Sequence, residues 1–298
     1  MLLRPQALQP GDTVYILSTA RKITLEEITP AIHAFESWGL KVQIGKTIGK
    51  EYRQFAGTDA ERKEDFQIAL DDKNVRAIIC ARGGYGTVRM MDDLNYDEFM
   101  KNPKWVVGFS DITFLHVHIS NSIGIQTLSG AMPFSFAKST PMAIESLKNE
   151  LFGKRNQYII EPNELNRKGE AQGILIGGNL SILYSITGTK SGMNTSNKIL
   201  FLEDLDEYLY HIDRMMMNLK RSSKLHDLAG LVIGGFSDMK DNKVAFGTTA
   251  YEIIAENVAE YNYPVCYGFP AGHVDDNRAL VIGGTYKLSV GDKEVKLY

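Results

Sequence analysis

Strand and helix signals alternate through the first 120 or so residues of this chain, and that alternation restricts its fold more than any other feature. Asp12 to Ser18 reads as a strand, and residues 25–38 as a helix ended by Gly39. Leu40 to Ile44 is a second strand. Thr58-Asp-Ala-Glu61 has the capping-box pattern and opens a helix to about Leu70. Residues 76–81 make a third strand, followed by Arg82-Gly-Gly-Tyr-Gly86. A fourth covers 104–109, and Ile112, Leu115 and Ile119 then share one helical face. Such alternation implies right-handed crossovers and a mostly parallel sheet covered on both faces, the α/β class. Function in these sheets gathers at the carboxyl ends of the strands. The glycine turn at 82–86 and Ser110 both fall there.

The second half has a different texture. A polar stretch runs from Pro162 to Gly169, and Ile174-Leu-Ile-Gly-Gly-Asn-Leu180 opens a short helix. Ile199-Leu-Phe-Leu-Glu-Asp204 is a buried strand ending in acid. Leu209, Ile212, Met216 and Leu219 recur at helical spacing, so Met215-Met-Met217 reads as core packing. Leu228–Gly234 and Pro264–Gly268 are further strands, and the tail from Ala279 has short β segments with turns at Gly283-Gly284 and Gly291-Asp292. With 298 residues, two domains are expected. We expect an N-terminal domain over 1–153, a linker over 154–169 and a C-terminal domain over 170–298.

Composition excludes several classes. A 44% hydrophobic and 23% charged chain is an ordinary globular one. Net charge is −3 with no basic run, which argues against nucleic acid and anionic membranes as partners. The first ten residues lack a signal peptide's apolar stretch, and runs such as Leu228–Phe236 are too short to span a bilayer. Cys80 and Cys266 have no metal-ligand spacing, and Cys80 lies in an apolar run where an inert thiol is expected. The expectation is a cytoplasmic protein without metal or cofactor.

Four features carry candidate chemistry. Ser110 stands at a strand-to-helix junction, where unpaired N–H groups of the first turn can stabilise an oxyanion. The nucleophile-elbow motif, Gly-x-Ser-x-Gly, is half met, because Ile112 occupies its last position. Helix capping by Ser110 or Asp111 is the plainer reading. The glycine turn at 82–86 could hold an anion on its N–H groups, or simply be a tight turn; it matches neither a dinucleotide fingerprint nor a P-loop. Glu203, Asp204, Asp206 and Glu207 form an acidic cluster. Strand alternation sends Glu203 and Asp204 to opposite faces, Asp206 is expected to cap the next helix, and a divalent-metal reading is unspecific. Glu203, ending an apolar strand, needs a partner, and a histidine would suit it. Of six histidines, His273 alone sits in a Gly/Pro-rich loop after a strand; His116 and His118 point different ways on a helix and make a poor metal pair.

Ser110, Glu203 and His273 follow the order Ser, acid, His, which one large hydrolase class also shows. The chain resembles the LD-carboxypeptidases, the serine peptidase family that includes muramoyltetrapeptide carboxypeptidases and microcin self-immunity hydrolases. The matching residues are Arg82-Gly-Gly-Tyr-Gly86, Gly108-Phe-Ser-Asp-Ile-Thr113, Gly177-Gly-Asn-Leu180, Leu202-Glu-Asp204 with Glu207, Asp213-Arg214 and Gly272-His273. The resemblance runs from about Gly11 to the C-terminus. It implies a flavodoxin-like N-terminal domain, a smaller β-rich C-terminal domain of swivelling type, and a homodimer. It further implies Ser110 as nucleophile, His273 as base and Glu203 as the acid that orients it. The backbone N–H groups of Asp111 and Gly84 would form the oxyanion hole. The implied substrate is the murein tetrapeptide, cut at the L,D bond before its terminal D-alanine. Arg82 and Arg214 are candidates for gripping the terminal carboxylate, since a guanidinium offers two parallel hydrogen bonds; each could equally serve a structural ion pair. The chain departs from the family where the first strand ends, with Ser18-Thr-Ala-Arg21 in place of a Pro-Ser turn. Two other readings stay open. A microcin-type hydrolase would need an aromatic surface for adenine, for which Tyr85, Tyr208 and Tyr210 are candidates. A non-catalytic domain would use the glycine turn to bind a small anion.

Overall fold

The computed structural model describes residues 2–298. Contacts divide the chain into two compact units. One comprises the residues up to Lys154 together with Asp275–Val281, and the other Arg155–Val274 with Ile282–Tyr298.

The first unit contains β1 (Thr13–Leu17), α1 (Leu25–Ser37), β2 (Lys41–Ile44), α2 (Asp59–Asp71) and β3 (Val75–Cys80). It continues through α3 (Asp97–Lys101), β4 (Trp105–Gly108), α4 (Thr113–His118), β5 (Thr127–Ser129) and α5 (Pro141–Leu151). These five strands pair in parallel in the order 2-1-3-4-5, the flavodoxin-like sequence of a doubly wound sheet. Apolar runs with no exposed face explain the arrangement: Val14, Ile16, Leu17, Ile78, Ile79, Val106 and Val107 are all fully buried. The expected capping box opens α2, with the Thr58 side chain on the Glu61 N–H and the Glu61 side chain on Thr58. A second one, Thr24 with Glu27, opens α1. The buried Lys104 ammonium ends α2 by donating to the carbonyls of Ala69, Leu70 and Asp72; burial pulls its pKa down to about 8. Ile112, Leu115 and Ile119 share the buried face of the helical segment after β4, as expected.

The second unit opens with β6 (Tyr158–Ile160), within the stretch read as linker, and β7 (Gly169–Asn179). There follow α6 (Leu180–Ser185), β8 (Ile199–Leu205), α7 (Leu209–Arg221), β9 (Gly230–Ser237), α8 (Ala250–Asn257) and β10 (Val265–Cys266). Strand β11 (Leu280–Ile282) returns to the first sheet, outside β5, before β12 (Thr285–Val290) and β13 (Val295–Leu297) complete the second. The second sheet runs β10-β9-β8-β7-β12-β13-β6. Its first four strands are parallel and its last three antiparallel. The long β7 joins the halves, pairing antiparallel with β12 through residues 169–174 and parallel with β8 through 175–179. Helix α7 buries Ile212, Met215, Met216 and Leu219, whereas Met217 is exposed.

One local expectation is corrected. Asp206 does not cap α7: Tyr208 holds the N-cap position with no side-chain bond, and Asp206, at φ +63°, pairs with the Lys240 ammonium at 2.7 Å. A helical start two residues further on leaves its carboxylate out of reach of the first-turn N–H groups.

Candidate functional site

The first unit supplies a strained serine turn. Strand β4 ends at Gly108, Phe109 stays extended, and Ser110 adopts φ +62° before a 3₁₀ turn leads into α4. A left-handed conformation at a non-glycine residue costs about 1–2 kcal/mol and persists only where its surroundings enforce it. Glycines provide the room. A Cβ on Gly108 would come within 2.7 Å of Ile112 Cγ1, and one on Gly83 within 3.1 Å of Ser110 Cβ and 3.3 Å of its Oγ. The glycine turn therefore lies directly against the serine. Gly84, at φ +108°, has Arg21 where a side chain would go.

Two buried polar residues brace this turn. The His116 ring bonds the Gly108 carbonyl through Nε2 at 2.8 Å and the Thr127 hydroxyl through Nδ1 at 2.9 Å. Because a carbonyl only accepts, Nε2 carries the proton and Nδ1 receives the Thr127 hydroxyl. Burial pulls its pKa down to about 4, so the ring is neutral. The Asp111 carboxylate, 1% exposed, accepts the Thr87 N–H at 2.9 Å, and burial raises its pKa. Spacing alone marked neither as a brace: His116 stood out only as an unsuitable metal ligand, Asp111 only as a cap or backbone donor.

The second unit brings Glu203 and His273 together. His273 Nδ1 lies 2.6 Å from Glu203 Oε2, which also accepts the His273 backbone N–H at 3.2 Å. Glu203 is 2% exposed at its side chain and His273 14%. Burial works against the imidazolium, but the Glu203 charge and hydrogen bond outweigh it and hold the His273 pKa above the ordinary histidine value. Gly272, at φ +98°, makes the approach feasible, since a Cβ there would meet the Glu203 side chain at 2.6 Å. Ser237 fixes the loop by donating to the His273 carbonyl at 2.7 Å. The neighbouring acid has partners of its own. Asp204 instead accepts Asn179 Nδ2 and the Ser181 N–H, both at 2.9 Å, and its own strand's Leu205 N–H. Burial, then the Glu203 charge, raise its carboxyl to about 7.

The remaining candidates have local partners. Arg82 stacks 4.2 Å over Phe134 and lies 3.8 Å from Glu27. Arg214 stands over Tyr210 in a cleft of about 440 Å³ also lined by Tyr184, Met217, Asn218, Arg221 and Ser222. His211 pairs with Glu207 at 2.6 Å. Both cysteines are buried thiols, with Cys266 pushed up to about 12. Among the described residues no group of three or more His, Cys, Asp or Glu could hold a metal ion, and no helix is long and apolar enough to cross a membrane.

The LD-carboxypeptidase N-terminal domain model matches residues 14–130, and the C-terminal domain model matches 172–288. The chain belongs to the LD-carboxypeptidase family. Like its family, this LD-carboxypeptidase is a serine-type hydrolase. It is 33% identical to a probable murein peptide carboxypeptidase of Bacillus subtilis over 97% of this chain and 92% of that one. It is 29% identical to the murein tetrapeptide carboxypeptidase of Pseudomonas aeruginosa, over 95% of each. The solved muramoyltetrapeptide carboxypeptidase of Oxalobacter formigenes superposes with a TM-score of 0.87 at 26% identity, covering 96% of this chain and 97% of that one. The microcin C7 self immunity protein MccF shares the fold, with a TM-score of 0.88 at 23% identity over 100% of this chain and 98% of that one.

Proposed function

We propose that this enzyme removes the terminal D-alanine of murein tetrapeptides, with Ser110 as nucleophile, His273 as general base and Glu203 as its orienting acid. The observation that carries the assignment is the left-handed φ of Ser110 at the end of β4, a backbone strain of the kind that gathers at functional sites. The relatives named above supply the substrate class.

The chemistry follows from the two half-sites. With Nδ1–H held by Glu203, the His273 lone pair is on Nε2, the atom that takes a proton. The Ser110 hydroxyl gives that proton to His273 as its oxygen bonds the scissile carbonyl carbon. Charge on the carbonyl oxygen falls to the N–H groups of Asp111 and Gly84. As the tetrahedral intermediate collapses, the C–N bond breaks and His273 returns the proton to the departing D-alanine amine. Water, deprotonated by His273, then attacks the acyl carbon, and His273 returns the proton to the Ser110 oxygen as its ester bond breaks. Glu203 stabilises the imidazolium in both halves. For the terminal carboxylate, Arg82 is favoured over Arg214, because its turn packs on Ser110 through Gly83. The buried thiols fit a cytoplasmic setting, in which the reaction would serve recycling of cell-wall peptides, and the family resemblance suggests a homodimer.

Mass spectrometry tests this reading. Incubation with murein tetrapeptide should remove one alanine mass with the wild type and none with Ser110→Ala. An intact substrate with folded wild type, together with cleavage of an aminoacyl sulfamoyl adenosine, would replace it with the microcin-type reading.

A further inference from the structure

A chain of buried polar groups joins the turns that follow β1, β3 and β4. The Arg62 guanidinium, fully buried, donates to the Thr19 carbonyl at 2.5 Å and pairs with Asp59. The Thr19 and Thr87 hydroxyls lie 2.7 Å apart. The Thr87 N–H donates to the Asp111 carboxylate at 2.9 Å. Thr19, Arg62 and Thr87 are fully buried and Asp111 nearly so. Gly86 belongs to the same device, because a Cβ there would lie 2.4 Å from Arg62 Nη1.

The placement of these residues is what matters. Thr87 directly follows the glycine turn, and Asp111 directly follows Ser110. The Thr87–Asp111 bond therefore spans the two segments whose N–H groups face a developing oxyanion. Burying a carboxylate carries a desolvation cost that an apolar pair in its place would avoid. Oxyanion stabilisation, by contrast, depends on donors held at fixed spacing before the charge appears. We propose that the Asp111 side chain is a positioning residue that holds the glycine turn and the nucleophile turn in register, with Thr87 and Thr19 completing the brace. This rests on the reading of Ser110 as nucleophile. It also gives Thr19, in the turn where this chain departs from its family, a function of its own.

The test is steady-state kinetics on murein tetrapeptide with Asp111→Ala, Asp111→Asn and Thr87→Val. Asp111→Ala should lower kcat about 100-fold while KM changes less than about 3-fold, the signature of an interaction made in the transition state. Asp111→Asn, which keeps an acceptor for the Thr87 N–H, should recover at least about 10-fold of that loss. Thr87→Val, which keeps its N–H and removes only the hydroxyl, should cost about 10-fold in kcat; it carries the test if Asp111→Ala fails to melt cooperatively. Equal loss in Asp111→Ala and Asp111→Asn, a loss carried by KM, or a Thr87→Val enzyme with unchanged kcat would overturn the brace. Ser110→Ala in the same assay separates the two ideas. Retained turnover there refutes the nucleophile reading itself, whereas an inactive Ser110→Ala beside a fully active Asp111→Ala refutes only the brace.

Discussion

His273 presents Nδ1 to Glu203 Oε2 at 2.6 Å, and the same oxygen accepts the histidine's own backbone N–H. One buried carboxylate thus fixes both the ring and the loop that carries it. Glu203 sits on a strand with fully buried neighbours, so its position is set by the sheet rather than by the loop.

A pH consequence follows. The Glu203 charge favours the imidazolium and holds the His273 pKa above the ordinary value near about 6.5. The base must be neutral to act, so kcat/KM should rise with pH through an apparent pKa above that value. Glu203→Gln should move this limb to lower pH and cut the plateau by about 10³-fold, through loss of the fixed tautomer. A pH–rate profile of both enzymes checks it; an unmoved limb would contradict the assignment.

Ser110 offers a stability signature. Relief of its left-handed strain predicts that Ser110→Gly is inactive yet more stable than Ser110→Ala by about 1 kcal/mol. Urea denaturation of the two variants measures the difference, and an equal midpoint would show that the turn is unstrained.

Gly272→Ala should damage both fold and activity. The new Cβ would sit 2.6 Å from Glu203 at a backbone φ of +98°. A loss of about 2 kcal/mol or more in denaturation, with most activity gone, is the expected result.

His116 predicts acid sensitivity. Its folded pKa of about 4 lies below the unfolded value of about 6.5, so the unfolded chain binds the extra proton first. The neutral ring's contribution is complete above about pH 6.5 and falls away as pH drops toward 4, by on the order of 3 kcal/mol. Comparing wild type and His116→Gln at pH 7 and pH 5 isolates it: the gap between them should narrow at pH 5.

The sequence made the first sheet readable because its strands are apolar on both faces and its helices carry local stop and start signals, such as Gly39 and Thr58. Strand β11 carried no such signal. Leu280-Val-Ile282 precedes a Gly-Gly turn and reads as one more segment of the tail, while its partner β5 lies in a distant part of the chain. The same division holds at the site. An acid ending an apolar strand announced that Glu203 needs a partner, and a Gly/Pro loop singled out His273. Asp111, Thr87 and Thr19 each look like ordinary turn residues, and only long-range contact reveals that they form one chain. Asp206 departs from expectation because a cap depends on the first helical residue, and spacing fixes that boundary only to within a residue or two.

The return of residues 275–281 to the first unit has a consequence for synthesis. A nascent chain that has emerged only as far as α5 has β1 to β5 but not β11, which borders β5 in the finished sheet. Until Leu280–Ile282 leaves the ribosome, β5 is an open edge with unpaired backbone groups, a template for pairing with other chains. The segment that closes this edge is held by Thr140, which bonds Asp275 and Asp276 at the start of α5, and by Ser146, which accepts the Ala279 N–H. Completion of the N-terminal sheet therefore waits for residues 280–282, and expression of residues 1–154 alone is expected to yield an aggregation-prone fragment.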